Sequence, residues 1–454
     1  MSFRITLIVL VLFISCQQQE PPVGERSLTG ESTAPGIASI NNVPIGDKVI
    51  AIQDVTLIDG TGRDPVSGAV VIIKNNIIDE IGTSETVSIP NDAEIISGQG
   101  LSLLPGFIDA HFHLNNDQLP NLMLKRGTTS LRDPGAWIES YHGVMESDLT
   151  APRLFLTGPH LDQPPPAYPK NSYLVRDLVE ARYAVNKFAD QGASAIKVYF
   201  RLPPLIIEEI CKTADQRGIP VVAHLEITRA TDAIVAGVDG IEHITSFGSD
   251  LLPVFEAEQY IQSVVADNSA RRMGRYEVWN AIDLSNERVD SLLRFLKLKG
   301  TVVSPTLGAF EHQYRTETLA SEQAFTLGGS TTTNDKIDSI KVNAFENMMA
   351  FVGRINQAGI PVVVGSHSWV PYQREVGWAF QREMELLAAS GLTNMEVIQA
   401  ATIENARFLR IQDRLGTIEV GKQADLLLLE GDPSKDLQAI YKVNRVMLNG
   451  KWVE

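Results

Sequence analysis

Cysteine is scarce in this 454-residue chain: only Cys16 and Cys211 occur. With Cys16 committed elsewhere, as argued below, no internal disulfide can form, so a disulfide-built fold is excluded. Basic clusters are missing too. The chain has 39 Lys and Arg against 55 Asp and Glu, a formal net charge of -16. An acidic chain with no basic run offers no footing for nucleic acid, so none is expected as a partner. No Gly-x-Gly-x-x-Gly or Walker-type loop follows any apolar strand, which argues against a nucleotide-binding open sheet. What remains is ordinary globular composition, 44% hydrophobic and 21% charged. The length suits one large domain plus a smaller one.

The first residues read as a targeting segment. Arg4 supplies a short positive region, and the apolar run from Ile5 to Ile14 is too short to span a bilayer comfortably. Phe13-Ile14-Ser15-Cys16 resembles a bacterial lipobox, so residues 1–16 are expected to be a lipoprotein signal with Cys16 lipidated. Residues 17–46, rich in Gln, Pro, Gly, Ser and Thr, fit a flexible tether. Gln17 is not the aspartate associated with inner-membrane retention, so an outer-membrane anchor facing the periplasm is expected. The membrane is then engaged through the lipid alone. Cys211 falls in the helical stretch 203–217 and reads as a small core residue.

Two strand-rich stretches flank the chain. Residues 47–103 carry β-rich runs with a turn at Asn75-Asn76, and residues 412–454 carry three more runs. Together they predict one small composite β-sandwich domain built from both terminal segments. Between them, residues 104–411 alternate apolar strands with amphipathic helices. Eight strands are expected: Leu104 to His111, Thr128 to Arg132, Arg153 to Thr157, Ala195 to Phe200, Pro220 to Leu225, Gly240 to Ile244, Thr301 to Leu307 and Pro361 to His367. Eight such units predict an α/β fold, a (β/α)8 TIM-like barrel. The interval 247–300 is too long for one loop and helix and predicts an insertion over the barrel mouth.

Active sites of such barrels lie at the C-terminal ends of the strands. There stand His111 and His113, Lys197, His224, His243 and His367. Five of the eight histidines fall at strand ends, in otherwise apolar runs. Histidines two apart on a strand point the same way, and neutral imidazoles are ligands for zinc and related ions. A lysine buried there loses hydration, which lowers its pKa and exposes a neutral amine. Such an amine can take up carbon dioxide as a carbamate, and that anion can bridge two metal ions. The bland alternative is a lysine paired with Glu226 or Glu242.

The runs Leu104-Pro105-Gly106-Phe107-Ile108-Asp109-Ala110-His111-Phe112-His113, Gly127-Thr128-Thr129-Ser130-Leu131-Arg132-Asp133, Ala195-Ile196-Lys197-Val198-Tyr199, Val222-Ala223-His224 and Gly240-Ile241-Glu242-His243 occur in this order. With Gly416-Thr417-Ile418-Glu419-Val420-Gly421 near the end, they resemble the amidohydrolase superfamily, in its imidazolonepropionase-related, prolidase-like group. The resemblance covers nearly all of the chain after residue 47. It implies a metal-dependent hydrolase of C–N bonds acting on a small-molecule or dipeptide substrate. It also implies two divalent metal ions, with zinc as the default. His111 and His113 would hold one, His224 and His243 the other, and carboxylated Lys197 would bridge them. A homo-oligomer is compatible with the sequence.

The chain departs from the family at strand eight. Where the family has Gly-Thr/Ser-Asp, this chain has Gly365-Ser366-His367. His367 is therefore open to three readings: an unligated general base, a metal ligand with another group moving the proton, or the mark of a centre that has lost catalysis. The last implies a metal- or solute-binding lipoprotein. A mononuclear deaminase is a third class, in which Lys197 is idle. Glu311 and Glu375 are acids that could stand in for the missing aspartate. Arg132 and Tyr199 are candidates for substrate contact, and Tyr276, Trp369 and Trp378 are further candidates at the pocket. His142, His160 and His312 are expected to be exposed or capping.

Overall fold

The computed structural model describes residues 39–40, 43, 45–114, 116–311, 339–368 and 377–454. Cys16, the expected signal and most of the tether, with His312, Trp369 and Glu375, lie outside the described residues. No described helix is long and apolar enough to cross a membrane.

Strands are numbered in chain order, starting with β1 (Ser39–Ile40). β2 (Val49–Leu57), β3 (Val66–Lys74) and β4 (Ile77–Thr83) form an antiparallel meander, turned at Asn75 with φ +58°. β5 (Glu94–Ser97) and β6 (Leu101–Pro105) run parallel to β2 on its other side. The C-terminal β16 (Leu426–Glu430), β17 (Val443–Leu448) and β18 (Lys451–Trp452) join through β16 and β6, with Leu426 opposite Pro105. Both terminal segments thus share one eight-stranded sheet. Side chains alternate: Ile50, Ile52, Val71 and Ile73 enter one core, while Ala51, Val70 and Ile72 enter another. Both faces are covered over residues 50–52 of β2 and 69–73 of β3, which is why those runs are apolar.

The expected first strand of the central region is two strands. β6 stays in the terminal sheet, and β7 (Phe107–Asp109) begins the parallel system. The break falls at Gly106, where a Cβ would lie 2.3 Å from Thr129 Oγ1. Only glycine allows that approach. β7 thus begins three residues after the expected strand start at Leu104. The apolar run misled because both sheets bury their strands on both faces.

β7, β8 (Thr128–Asp133) and β9 (Arg153–Leu156) pair in parallel, with β1 antiparallel at the edge. A second sheet is wholly parallel: β11 (Ser172–Leu174), β10 (His160–Asp162), β12 (Ile196–Val198), β13 (Val221–Ala223), β14 (Gly240–Glu242) and β15 (Val302–Ser304), in that spatial order. β9 and β10 are consecutive, separated only by residues 157–159. At the far side, Val303 bridges Val362, and Ala110 N donates to Val364 O at 3.1 Å. Asn405 Nδ2 donates to Ile108 O and to Val364 O. This mixed α/β fold is consistent with a TIM-like barrel. The eighth expected strand, 361–367, is reduced to that single bridge.

Helices follow the strands where amphipathic patterns lay, including Leu178–Asp190, Pro204–Gln216, Glu287–Lys299 and Ser339–Gln357. The interval 247–300 carries Val254–Ala266 and Arg271–Ala281 before its last helix. Two helices, Asn394–Ala401 and Ile403–Phe408, meet at Thr402. Buried Arg153 on β9 grips Asp425 with Nε–Oδ2 2.8 Å and Nη2–Oδ1 3.0 Å, tying the parallel strands to the C-terminal segment.

Candidate metal centre

Short strands deliver the ligand-type side chains. β13 ends at Ala223 and β14 at Glu242, so His224 and His243 are the next residues after each strand. β7 ends at Asp109, so His111 and His113 lie beyond the strand, and strand alternation is not what aligns them. Hydrogen bonds do that instead. Asp109 Oδ1 accepts from His111 N and from Ser366 N, each at 3.0 Å, which staples the two segments together. Burial pushes the Asp109 carboxyl up to about 6. His367 N donates to His111 O at 2.6 Å, and His113 N donates to Ser368 Oγ at 2.9 Å.

Backbone strain gathers here. His243, Thr306, His367 and Ser368 have φ of +65°, +50°, +56° and +44°. A left-handed conformation is costly for non-glycine residues and persists only where surrounding bonds enforce it. Those bonds aim the imidazoles inward.

The result is a contiguous cluster of rings. Ring centres lie 5.0 Å apart for His111 and His113, 4.7 Å for His111 and His243, 4.3 Å for His224 and His243, and 4.6 Å for His113 and His367. His111, His243 and His367 each place a ring nitrogen within 4.8 Å of the other two. Desolvation, with neighbouring cationic groups adding to it, holds His111, His224, His243 and His367 well below the usual imidazole range. They are therefore neutral, as metal ligation requires.

Two observations test whether a metal fits. His111 Nε2 and His113 Nε2 lie 3.2 Å apart. Two nitrogens at roughly 2.0–2.1 Å from one tetrahedral ion are separated by roughly 3.3–3.4 Å. Second, His243 Nδ1 is 2.7 Å from Thr306 Oγ1, and a proton shared there leaves Nε2 free to bind, the arrangement that outer partners impose on ligating histidines. His111 Nδ1 lies 3.3 Å from Glu242 Oε2 without a hydrogen bond and is a buried polar atom with no partner among the described residues. The donor set fits a divalent ion.

Lys197 is buried and lines the same cavity. Desolvation, with Arg132 nearby, pushes its pKa well below that of a free lysine. Its Nζ contacts Glu242 Oε2, one of the two partners the sequence suggested. Arg132 does not line the cavity. It is 1% exposed beneath the site, donating to Glu242 Oε1 at 2.6 Å and to Ala110 O at 2.7 Å. Tyr199 does line the cavity. Tyr276 points instead at Phe310 O, 3.4 Å away. Glu311 is bound to Arg382, and Trp378 packs on Tyr441 and Arg126, so neither contributes to the cavity lining.

His160 corrects the expectation of an exposed or capping residue. It starts β10, is 7% exposed, and stacks on Tyr199 with ring centres 4.4 Å apart. Its signal was available: a histidine just past a strand, after Gly158-Pro159. Arg271 and Arg275 were also missed. They lie four apart on one helix and so share a face, a spacing readable in the sequence. The whole cavity holds about 400 Å3.

Comparison with known proteins places this site. The Amidohydrolase family profile matches residues 102–453, and the chain belongs to that family. It is a metal-dependent hydrolase acting on C–N bonds. The 5′-deoxyadenosine deaminase of Methanobrevibacter smithii is 22% identical over 410 residues, covering 85% of this chain and 84% of the relative. The crystal structure of a Xaa-Pro dipeptidase with bound methionine in the active site superposes with a TM-score of 0.66 at 21% identity, covering 90% of this chain and 100% of the other. A molinate hydrolase superposes with a TM-score of 0.65 at 17% identity, covering 90% and 95%. At these identities the structural likeness establishes the fold.

Proposed function

We propose that the chain hydrolyses an amide bond in a small molecule or dipeptide at a divalent metal centre, on a (β/α)8 barrel. The observation that carries this reading is the convergence of ring nitrogens from His111, His243 and His367 within 4.8 Å in a buried cavity. A bound metal supplies Lewis acidity, polarising the scissile carbonyl and acidifying water. The protein's own share is positional. Thr306 orients His243, Asp109 joins the segments that carry His111 and His367, and the aromatic wall at Tyr199 limits access of bulk water. His367, placed among the imidazoles, is read as a ligand, which leaves no free lone pair on the bound nitrogen for service as the base.

In the fuller version, His111 and His113 would hold one ion, His224 and His243 would hold a second, and Lys197, as a carbamate, would supply a ligand to both, with zinc as the default metal. The contact between Lys197 and Glu242 favours a second reading. There Lys197 stays an ion-pair partner and one ion does the chemistry, as in a mononuclear deaminase. Chelation followed by zinc addition tests the reading as a whole. Turnover of a dipeptide and amide panel is expected to vanish and return; turnover surviving in metal-free protein overturns it. Counting bound metal separates the versions: two ions per chain support the bridged site, and one supports the mononuclear site.

A further inference from the structure

The cavity has a wall that metal chemistry does not explain. Three Lys and Arg side chains line it: Lys197, Arg271 and Arg275. Lys197 is matched by Glu242, and Arg275 Nη2 is matched by Glu226 Oε1 at 3.0 Å. Arg271 has no carboxylate within ion-pair distance among the described residues, although it is only 7% exposed. Its Nε has no hydrogen-bond partner there. Its guanidinium carbon lies 5.0 Å from the centre of the Tyr168 ring and 5.6 Å from that of Phe200. Two aromatic faces hold the group flat, which limits the freedom it would lose on binding.

A buried guanidinium cannot shed its proton, so its charge must be met by an anion or by water. Tyr168 hydrogen-bonds the group and the nearby Glu226 carboxylate meets part of its charge; the cavity leaves the rest to a ligand. A continuous row of rings links it to the imidazoles. His224 and Tyr199 are 4.6 Å apart, Tyr199 and His160 4.4 Å, and His160 and Tyr168 6.0 Å, with Arg271 over Tyr168. One small molecule can therefore touch both ends. A single fork-shaped donor with no second free cation beside it suits the charge and planarity of a carboxylate.

We propose that Arg271 binds the anionic end of the substrate, so that the amides hydrolysed carry a free carboxylate, as an N-acyl amino acid or a dipeptide does at its C-terminus. This rests on the reading of the cavity as an amide-hydrolysing site. Arg275 is held by Glu226 and stays a wall residue.

The test uses the metal-loaded full chain and ligands that cannot be hydrolysed. These are ketomethylene analogues of N-acetylalanine, N-acetylleucine and N-acetylphenylalanine, each as the carboxylate and as the carboxamide. In calorimetric titration the best carboxylate is expected to bind on the order of 10- to 100-fold more tightly than its carboxamide. Arg271→Gln should erase that gap, and Arg271→Lys should keep part of it. Absence of binding, equal affinities in the wild type, or a gap unchanged in Arg271→Gln overturns the assignment. If Arg271→Gln does not fold, the wild-type pair and Arg271→Lys decide. Failure of the underlying reading looks different. Carboxylate binding through Arg271 without hydrolysis of any acylated amino acid removes the amide-hydrolase reading alone. Hydrolysis of neutral amides with no carboxylate preference removes the Arg271 assignment alone.

Discussion

The two walls of the cavity treat charge in opposite ways. The strand-end wall gathers imidazoles and strips them of water, so that His111, His224, His243 and His367 stay neutral. The helical wall presents permanent cations, Arg271 and Arg275, against aromatic rings. The first wall can accept a metal because its donors are uncharged lone pairs. The second can accept an anion because its donors cannot lose their protons. A cavity built this way polarises one end of a ligand and holds the other. The loop after β15 meets both walls, since Thr306 touches His243 while Phe310 lies under Arg275.

The comparison breaks most sharply at His243. His243→Ala removes a nitrogen central to the cluster. Metal affinity should fall by more than the roughly 10–100-fold that loss of an outer partner costs, and turnover should go with it. Metal content after dialysis, measured by elemental analysis, checks this; full retention would show that the strand-end wall is not the metal site. Carboxylate-probe affinity through Arg271 should survive better than metal content if the walls are separable.

Thr306→Val is the next step down. It keeps the shape and removes the hydroxyl 2.7 Å from His243 Nδ1. Metal affinity should fall by roughly 10–100-fold with the fold intact. An unchanged affinity in a competition titration with a fluorescent chelator would show that the hydroxyl does not orient the ring.

The smallest expected effect concerns Glu383, whose carboxyl oxygens accept from Leu307 N at 2.8 Å and Gly308 N at 2.7 Å. It clamps the loop that joins the walls. Burial pushes this carboxyl up from 4.5 to about 8. The folded state therefore holds the proton more tightly than the unfolded chain. Its stabilising contribution is full below pH 4.5 and is lost as pH rises through about 8. Glu383→Gln stays neutral throughout. Between pH 5 and 8.5 the wild-type Tm should drop by a few degrees more than that of the variant. Parallel Tm profiles in scanning calorimetry would show that the clamp does not titrate in this range.

Much of the strand-end wall was legible. His111, His113, Lys197, His224, His243 and His367 all line one cavity, as their positions at apolar strand ends suggested. The reason is periodic: a short buried strand followed by a polar residue announces a strand end. His160 escaped because the expected third strand ended at Thr157 and the short strand that begins at His160 was not anticipated. The helical wall was hardly legible. Only its existence as an insertion was readable, since helix patterns do not say which face turns toward a distant strand end. For Arg132 the sequence left substrate contact and a structural ion pair both open, for the same reason. Position near a strand end does not tell whether a side chain rises into the cavity or is drawn beneath it by Glu242 and the carbonyl of Ala110.

The sequence by itself determined the alternation of strands and helices, the strand-end placement of the ligand-type residues, and the histidine at 367 where the family has an acid. These follow from local order, because burial and strand termination are written into neighbouring residues. Tertiary structure alone decided that Gly106 divides one apolar run between two sheets, that Lys197 meets Glu242, and that Arg271 lies in the same cavity as the imidazoles without a carboxylate partner among the described residues. Each of these depends on which residues far apart in the chain come within a few ångströms, and charge pairing is set by that distance, not by order along the chain.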